Sequence, residues 1–117
     1  MVVDDNVRLA DVSARLLSSI GYDAIPFSTP ERALVALQPN CDFDVILTDL
    51  HMPDMSPEEF VLKLRQLCPK LPVIVSTGRP DALDDAALAR LGIREVLVKP
   101  WRLEEAVGAI ERTLASP

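Results

Sequence analysis

Charged and hydroxyl side chains follow four short apolar runs of this chain, each at the point where the run ends. They are Asp4 and Asp5 after residues 2–3, Asp49 after residues 43–48, Thr77 after residues 72–76 and Lys99 after residues 95–98. Three carboxylates in close quarters repel one another, and a protein core gains nothing from collecting them. Around a hard divalent cation the same groups become ligands, and Mg²⁺ is commonly held by carboxylates, waters and phosphate oxygens. These residue types favour a magnesium site faced by one ammonium group.

Carboxylates beside Mg²⁺ with a lysine opposite are typical of phosphoryl transfer, which depends mostly on positioning and charge neutralisation. Asp49 is the candidate nucleophile, because carboxylates form aspartyl-phosphate intermediates. Asp4 and Asp5 are then candidate metal ligands. Lys99 is expected to pair with Asp49 before the reaction and with a phosphoryl oxygen after it, and Thr77 to offer its hydroxyl to another oxygen. Asp and Thr are also common in turns and caps, so only the combination indicates a site.

The elements that must position these residues are short apolar runs alternating with segments of helical period. The runs cover residues 2–3, 22–27, 43–48, 72–76 and 95–98. This alternation predicts a parallel sheet with helices on both faces. Pro26 lies within the second run, which indicates an edge strand. We therefore predict an α/β, flavodoxin-like doubly wound (βα)5 fold with strand order 2-1-3-4-5, in which the four polar strand ends meet in one crevice.

Five helices are predicted between and after these runs. The first covers about residues 7–20 and stops at Gly21, the second begins after Thr29, the third after Ser56, the fourth near Asp81 with a stop at Gly92, and the fifth covers about residues 103–114. Apolar periodicity predicts the residues that face the core. These are Leu9, Val12, Leu16 and Ile20 in the first helix, Phe60, Leu64 and Leu67 in the third, Leu83, Ala87 and Leu91 in the fourth, and Leu103, Val107, Ile110 and Leu114 in the fifth.

Length and charge restrict the class of protein. The 117 residues predict one domain, residues 1–117, and the net charge of −6 argues against binding nucleic acid or an anionic membrane surface. The chain has no run of about 20 apolar residues, and its start lacks the features of a secretory signal. Cys41 and Cys68 form no CxxC pair, so we expect two reduced thiols in a cytoplasmic protein.

The whole pattern resembles the response-regulator receiver domain of two-component signalling. The motifs that carry the resemblance are Asp4-Asp5, Asp49 followed by Met52-Pro53, Thr77-Gly78 and Lys99-Pro100. The resemblance implies that a histidine kinase or histidine phosphotransfer domain phosphorylates Asp49. It further implies that Mg²⁺ is bound by Asp5, Asp49 and the His51 backbone carbonyl, with Asp4 acting through water, and that the peptide bond before Pro100 is cis.

Receiver domains of this kind catalyse only their own phosphorylation and dephosphorylation, so the resemblance implies a switch rather than an ordinary enzyme. Phosphorylation is expected to change the surface formed by the fourth helix, fifth strand and fifth helix. A monomer or weak dimer is expected. The segments 76–81, 92–95 and 99–101 are similar to receivers of hybrid sensor histidine kinases, so attachment to such a kinase is a further expectation.

The sequence departs from the family in several places. Val96 stands where the family often has Tyr or Phe, and Pro57 where it commonly has Gly. His51 and Arg79 occupy variable positions at the rim of the site, where side chains tend to tune the lifetime of the acyl phosphate. The first apolar run is shorter than usual, so we expect further residues before Met1 in the natural protein.

Three alternatives follow from the same residues. A receiver-like binding module that works without phosphorylation is one, and Val96 is its only support. A phosphohydrolase of the haloacid-dehalogenase type needs a second Asp two residues after the nucleophile, where this chain has His51, and a flavodoxin needs a Ser/Thr-rich loop where this chain has Asp4-Asp5-Asn6.

Trp101 is either a partner contact or a packing residue of the fifth helix.

Overall fold

The structure, a computed structural model, describes residues 1–79, 81 and 84–115. Within these residues five strands alternate with five helices: β1 (Val2–Val3), α1 (Val7–Ser18), β2 (Pro26–Phe27), α2 (Pro30–Ala36), β3 (Ile46–Asp49), α3 (Pro57–Leu67), β4 (Val73–Thr77), α4 (Asp85–Leu91), β5 (Ile93–Val98) and α5 (Leu103–Ala115). The strands pair in parallel in the order β2-β1-β3-β4-β5. The predicted fold class and strand order are confirmed, and β2 with Pro26 lies at an edge.

Alternation along the strands divides the core between the two faces of the sheet. Val3, Ile46, Val73 and Val75 pack against α2 and α3, where Phe60 and Leu64 are buried. The intervening strand residues face the other way and pack against α1 and α5, and they are Val2, Leu47, Ile74 and Leu97. Both faces of the central strands are therefore covered, which explains why apolar residues in these runs do not alternate with polar ones.

The predicted helix starts follow from side chains that accept bonds from free backbone amides. Thr29 Oγ1 accepts from the Arg32 amide at 3.2 Å, and Ser56 Oγ accepts from the Glu59 amide at 3.1 Å. Both helices have proline in the first turn, where no amide hydrogen is needed. Gly92 ends α4 with a φ of 68°, a left-handed conformation that glycine adopts without steric cost.

The fourth helix begins later than predicted. It starts at Asp85 after an Asp84 cap, whose Oδ1 accepts from the Ala87 amide at 2.7 Å, rather than near Asp81. Leu91 is buried as predicted and Ala87 is partly buried, whereas Leu83 lies outside the described residues.

The predicted core face of α1 was wrong. Ala10, Ala14 and Leu17 are buried, whereas the predicted residues Leu9, Val12, Leu16 and Ile20 are 47%, 51%, 42% and 46% exposed. Alanine lets a helix approach the sheet closely, and periodicity alone cannot decide which of two apolar faces makes that approach. The larger side chains of α1 consequently form an apolar surface outside the core.

The faces of two other helices also differ in part from the prediction. In α5 the buried residues are Ala106, Ala109, Ile110 and Thr113, so Ile110 was predicted correctly, Leu103 and Val107 are partly buried, and Leu114 is 47% exposed. In α3 Phe60 and Leu64 are buried as predicted, but Leu67 at the last turn is 37% exposed.

The expected pair of free thiols was also wrong. Cys41 and Cys68 form a disulfide with their Cα atoms 5.9 Å apart, a normal separation for such a bond. Cys41 lies in the loop after α2, and Cys68 caps the C-terminus of α3. The two are 27 residues apart in sequence, and no spacing motif predicts their contact. Packing of α2 beside α3 brings them together.

No helix in the described part of the chain has the length and apolar character needed to cross a membrane.

Candidate functional site

The acidic residues predicted from sequence converge at the carboxyl end of the sheet. Asp4, Asp5 and Asp49 each present one carboxylate oxygen, and these oxygens lie within 4.8 Å of one another. They converge because β1 and β3 are parallel neighbours, with Val3 paired to Thr48. The acids that follow these two residues must therefore lie side by side.

Asp4 is fixed by backbone contacts on both sides. Its amide donates to the Phe27 carbonyl of the edge strand at 3.0 Å, and its Oδ1 accepts from the Asn6 amide at 2.9 Å. Asn6 in turn caps α1, with its Oδ1 accepting from the Leu9 amide at 3.2 Å. Asp4 is buried, whereas Asp5 is exposed. One acid is thus held in place and the other is accessible from solvent.

Asp49 ends the central strand β3. Its Cα is paired with that of Ser76, and its backbone carbonyl accepts from the buried Thr48 hydroxyl at 3.0 Å. The side chain is only 12% exposed, and its Oδ1 lies 3.4 Å from the amide of His51. The backbone of Asp49 is therefore fixed, and its carboxylate lies beside Lys99 Nζ and the acidic pair.

Lys99 provides the positive charge facing the three acids. Its backbone amide donates to the Thr77 carbonyl at 2.8 Å, which holds the end of β5 against β4. Its Nζ lies 3.3 Å from Asp4 Oδ2 and 3.4 Å from Asp49 Oδ2. The peptide bond between Lys99 and Pro100 is cis, as the resemblance implied.

The other predicted site residues lie beside this cluster rather than within it. Thr77 is buried, and its Oγ1 accepts from the Arg79 amide at 3.0 Å. His51 is exposed, and its backbone amide lies 3.4 Å from Asp49 Oδ1. Val96 is half-buried on β5, paired with Val75, and has no polar group to offer.

Burial has the largest influence on the pKa of Asp49. Burial raises the pKa of Asp49 and the Asp4 carboxylate raises it further, while Lys99 and the His51 amide act in the opposite direction. The result is a pKa above the ordinary aspartate value.

The donor set fits Mg²⁺. It consists of carboxylate oxygens, the ligands this cation prefers, and the exposure of Asp5 leaves room for water ligands. Ligands of one Mg²⁺ at about 2.1 Å can be no more than about 4.2 Å apart. The three oxygens lie within 4.8 Å of one another, close to that span, so each carboxylate is placed to bind the ion directly or through water.

We expect the Asp49→Asn variant to be more stable than the parent at neutral pH without divalent cations. A raised folded-state pKa means that the ionised carboxylate destabilises the folded chain relative to the unfolded one. This cost is present above the folded-state pKa and disappears below the unfolded-state value. Thermal unfolding measured across pH should give a higher midpoint temperature for the variant than for the parent at pH 7. This difference should disappear near pH 3 to 4 (about the ordinary Asp pKa). An equal advantage at both pH values would contradict the electrostatic explanation.

Sequence reasoning missed one connection to the site. Trp101 Nε1 donates to the buried Ser76 Oγ at 2.9 Å. The sequence does contain a signal for this hydrogen bond. Alternation of side chains along β4 places Ser76 on the same face as Ile74, which packs against α5. A partly buried indole N–H needs an acceptor, and Ser76 is the nearby polar residue on that face.

Comparisons with known proteins agree with this geometry. The protein-family model described as "Response regulator receiver domain" matches residues 1–111. The DNA-binding transcriptional regulator NtrC of Salmonella typhimurium is 35% identical over 115 residues, which is 97% of this chain and 24% of that protein. The two-component response regulator ORR21 of Oryza sativa subsp. indica is 39% identical over 108 residues, 90% of this chain and 15% of that protein.

A solved structure gives the same fold. The chemotaxis protein CheY4 of Vibrio cholerae superposes with a TM-score of 0.85 at 27% identity, covering 97% of this chain and 95% of that one. The chain spans a quarter or less of the curated relatives named above. Since the family match extends over nearly its whole length, the chain belongs to the response regulator receiver domains of two-component systems.

Proposed function

We propose that this domain accepts a phosphoryl group on Asp49 in a Mg²⁺-dependent reaction. The observation that carries the proposal is the position of Lys99 Nζ, 3.3 Å from Asp4 and 3.4 Å from Asp49, opposite a third carboxylate. A structural ion pair needs only one acid. Three acids and one ammonium group suit a site that binds a metal and a phosphoryl group together.

The proposed donor is a phosphohistidine on a histidine kinase or histidine phosphotransfer domain. A carboxylate oxygen of Asp49 attacks phosphorus, an O–P bond forms as the N–P bond breaks, and the electron pair of that bond leaves with the histidine nitrogen. Mg²⁺ held by Asp5, Asp49 and the His51 carbonyl, with Asp4 through water, would neutralise phosphoryl charge. The domain remains a switch that acts on itself rather than an enzyme with a turnover substrate.

Lys99 and Thr77 supply the remaining contacts in this proposal. Lys99 already touches Asp49, so a short movement brings its ammonium group to a phosphoryl oxygen. Thr77 Oγ1 accepts from the Arg79 amide, and a hydroxyl that accepts a bond still carries a proton to donate. Thr77 is at the end of β4, beside the Asp49 strand. Donation to the new phosphoryl group would therefore pull on the loop that precedes α4.

The proposed output is a change in the surface formed by α4, β5 and α5. Helix α4 has seven residues, and within the described chain Leu91 is its buried member. A short helix with little buried surface shifts at low cost. Added charge on Asp49 can bias such an element between two positions.

The partner must reach Asp49 from the open end of the sheet. A groove of about 270 Å³ is lined by Asp4 and Lys99 together with Leu9, Val12 and Leu16 of α1. The exposed apolar face of α1 offers a packing surface to a partner helix that carries the phosphohistidine. We assign no nucleic-acid or membrane contact to this domain because its net charge is −6.

The metal requirement gives the direct test of this proposal. With a small phosphodonor such as phosphoramidate, we expect one phosphoryl group per chain by intact mass in the presence of Mg²⁺, and none with a chelator. Asp5→Asn should weaken Mg²⁺ binding by at least about tenfold, measured as the Mg²⁺ concentration that gives half the maximal uptake rate. Asp42→Asn, at an exposed position away from the cluster, is the matched control and should resemble the parent.

Uptake that is unaffected by the chelator would contradict the metal role. A parent chain that takes up no phosphate would instead favour a binding module that works without phosphorylation. That alternative is supported by Val96, which stands where the family often has an aromatic residue.

A further inference from the structure

We propose that Trp101 is a positioning residue for Lys99, acting through the hydrogen bond from its indole to Ser76. The inference rests on the proposed phosphorylation of Asp49 and adds to it a residue outside the acidic cluster. Its basis is the hydrogen bond of 2.9 Å from Trp101 Nε1 to Ser76 Oγ. Trp101 lies two residues after Lys99 in the chain.

Ser76 connects this bond to the nucleophile. It is 5% exposed, and its Cα is paired with that of Asp49 across β3 and β4. Its carbonyl accepts from the Leu50 amide at 3.2 Å, which fixes the residue after Asp49. One serine therefore contacts the backbone beside the nucleophile and, through its side chain, the segment that carries Lys99.

The segment from Lys99 to Trp101 is fixed to β4 at both ends. On one side the Lys99 amide donates to the Thr77 carbonyl at 2.8 Å, and on the other Trp101 donates to Ser76. Trp101 also packs with the core group formed by α1, α5 and the sheet. With two anchors on consecutive β4 residues, the backbone of Lys99 has little freedom, and its Nζ stays between Asp4 and Asp49.

Loss of one anchor should affect the lysine more than the fold. The ring of Trp101 supplies packing, whereas its N–H supplies the fixed orientation. A phenylalanine at this position keeps an apolar ring and removes the donor. In phosphoryl transfer a displacement of about 1 Å in a charged group costs up to a hundredfold in rate, so a looser lysine slows the reaction even when the domain is folded.

The test measures phosphate uptake from phosphoramidate at saturating Mg²⁺ in four chains. These are the parent, Trp101→Phe, Ser76→Ala and the double variant. We expect each single variant to lower the maximal rate about five- to tenfold, and the double variant to be no slower than either single one. Such non-additivity identifies one shared interaction. Ser18→Ala, an exposed serine at the end of α1, is the matched control and should keep the parental rate.

Two further measurements separate positioning from a general structural defect. The Mg²⁺ concentration for half-maximal rate should stay unchanged in the Trp101 and Ser76 variants, because the carboxylates keep their positions. Ser76→Thr, which retains the hydroxyl, should restore the rate lost in Ser76→Ala. Trp101 is the single tryptophan of the chain, so its indole N–H gives one NMR resonance, which should shift in Ser76→Ala.

Parental rates in Trp101→Phe and Ser76→Ala would overturn the inference while leaving the proposed function intact. Additive losses in the double variant, or a weaker Mg²⁺ response in parallel with the rate, would also overturn it, because they indicate a structural defect. A parent that takes up no phosphate would overturn the proposed function itself, and the inference with it.

Discussion

Replacing Asp49 by asparagine should lower phosphate uptake by at least about a thousandfold, the scale expected when a nucleophile is removed. The amide has nearly the same shape, but it lacks the charge that makes the carboxylate a nucleophile and a metal ligand. The other cluster acids cannot easily replace it. Asp4 is held by the Asn6 amide, and Asp5 is exposed. Intact mass after incubation with phosphoramidate and Mg²⁺ gives the measurement.

Asp54→Asn is the control for this experiment. Asp54 is an exposed acid in the loop between β3 and α3, five residues after the proposed acceptor. Its variant should take up phosphate at the parental rate. Comparable uptake by parent and Asp49→Asn would mean that another residue accepts the phosphoryl group, and hydroxylamine cleavage with peptide mapping would locate it.

Opening the disulfide between Cys41 and Cys68 should produce the largest loss of stability. A bond that closes a 27-residue separation restricts the unfolded chain, which contributes about 3.5 kcal/mol in the chain-entropy treatment. For a domain of this size that corresponds to a decrease in the unfolding midpoint on the order of 10 °C. Thermal unfolding of the parent with and without a dithiol reductant measures the difference.

Cys41→Ser gives the control for reductant effects. Cys41 is the partly exposed member of the pair, so a serine there avoids placing a hydroxyl at the fully buried Cys68 position. The variant should unfold near the midpoint of the reduced parent and be insensitive to reductant. A parent whose midpoint is unchanged by complete reduction would show that packing of α2 against α3 suffices without the covalent bond.

The site could be predicted from sequence because one rule of parallel sheets carries most of the information. Val2-Val3 and the run ending at Thr48 identify neighbouring strands, and the residue after each strand must lie at the same edge of the sheet. The convergence of Asp4, Asp5, Asp49 and Lys99 follows from that rule with no knowledge of side-chain packing. The helix starts at Thr29 and Ser56 were equally accessible, because a capping contact involves residues only three positions apart.

The features that could not be predicted depend on contacts between distant segments. The periodicity of α1 gives two apolar faces, and only its distance from the sheet selects Ala10 and Ala14 over Leu9 and Val12. The disulfide depends on how α2 and α3 lie together, and no spacing between the two cysteines encodes that. Local rules therefore predicted the acidic cluster, whereas the depth of each helix against the sheet needed three-dimensional information.

The outer strand next to β1 has a consequence for behaviour at high concentration. Pro26 provides no amide hydrogen to an incoming strand, and β2 is only two residues long. Short edge strands that contain proline resist pairing with a strand of another molecule, and many β-sheet proteins avoid aggregation in this way. At the opposite edge of the sheet, the exposed Arg94 of β5 carries a charge that an added apolar strand would have to bury. Crowded copies of this domain are thus discouraged from extending one another's sheets into fibres.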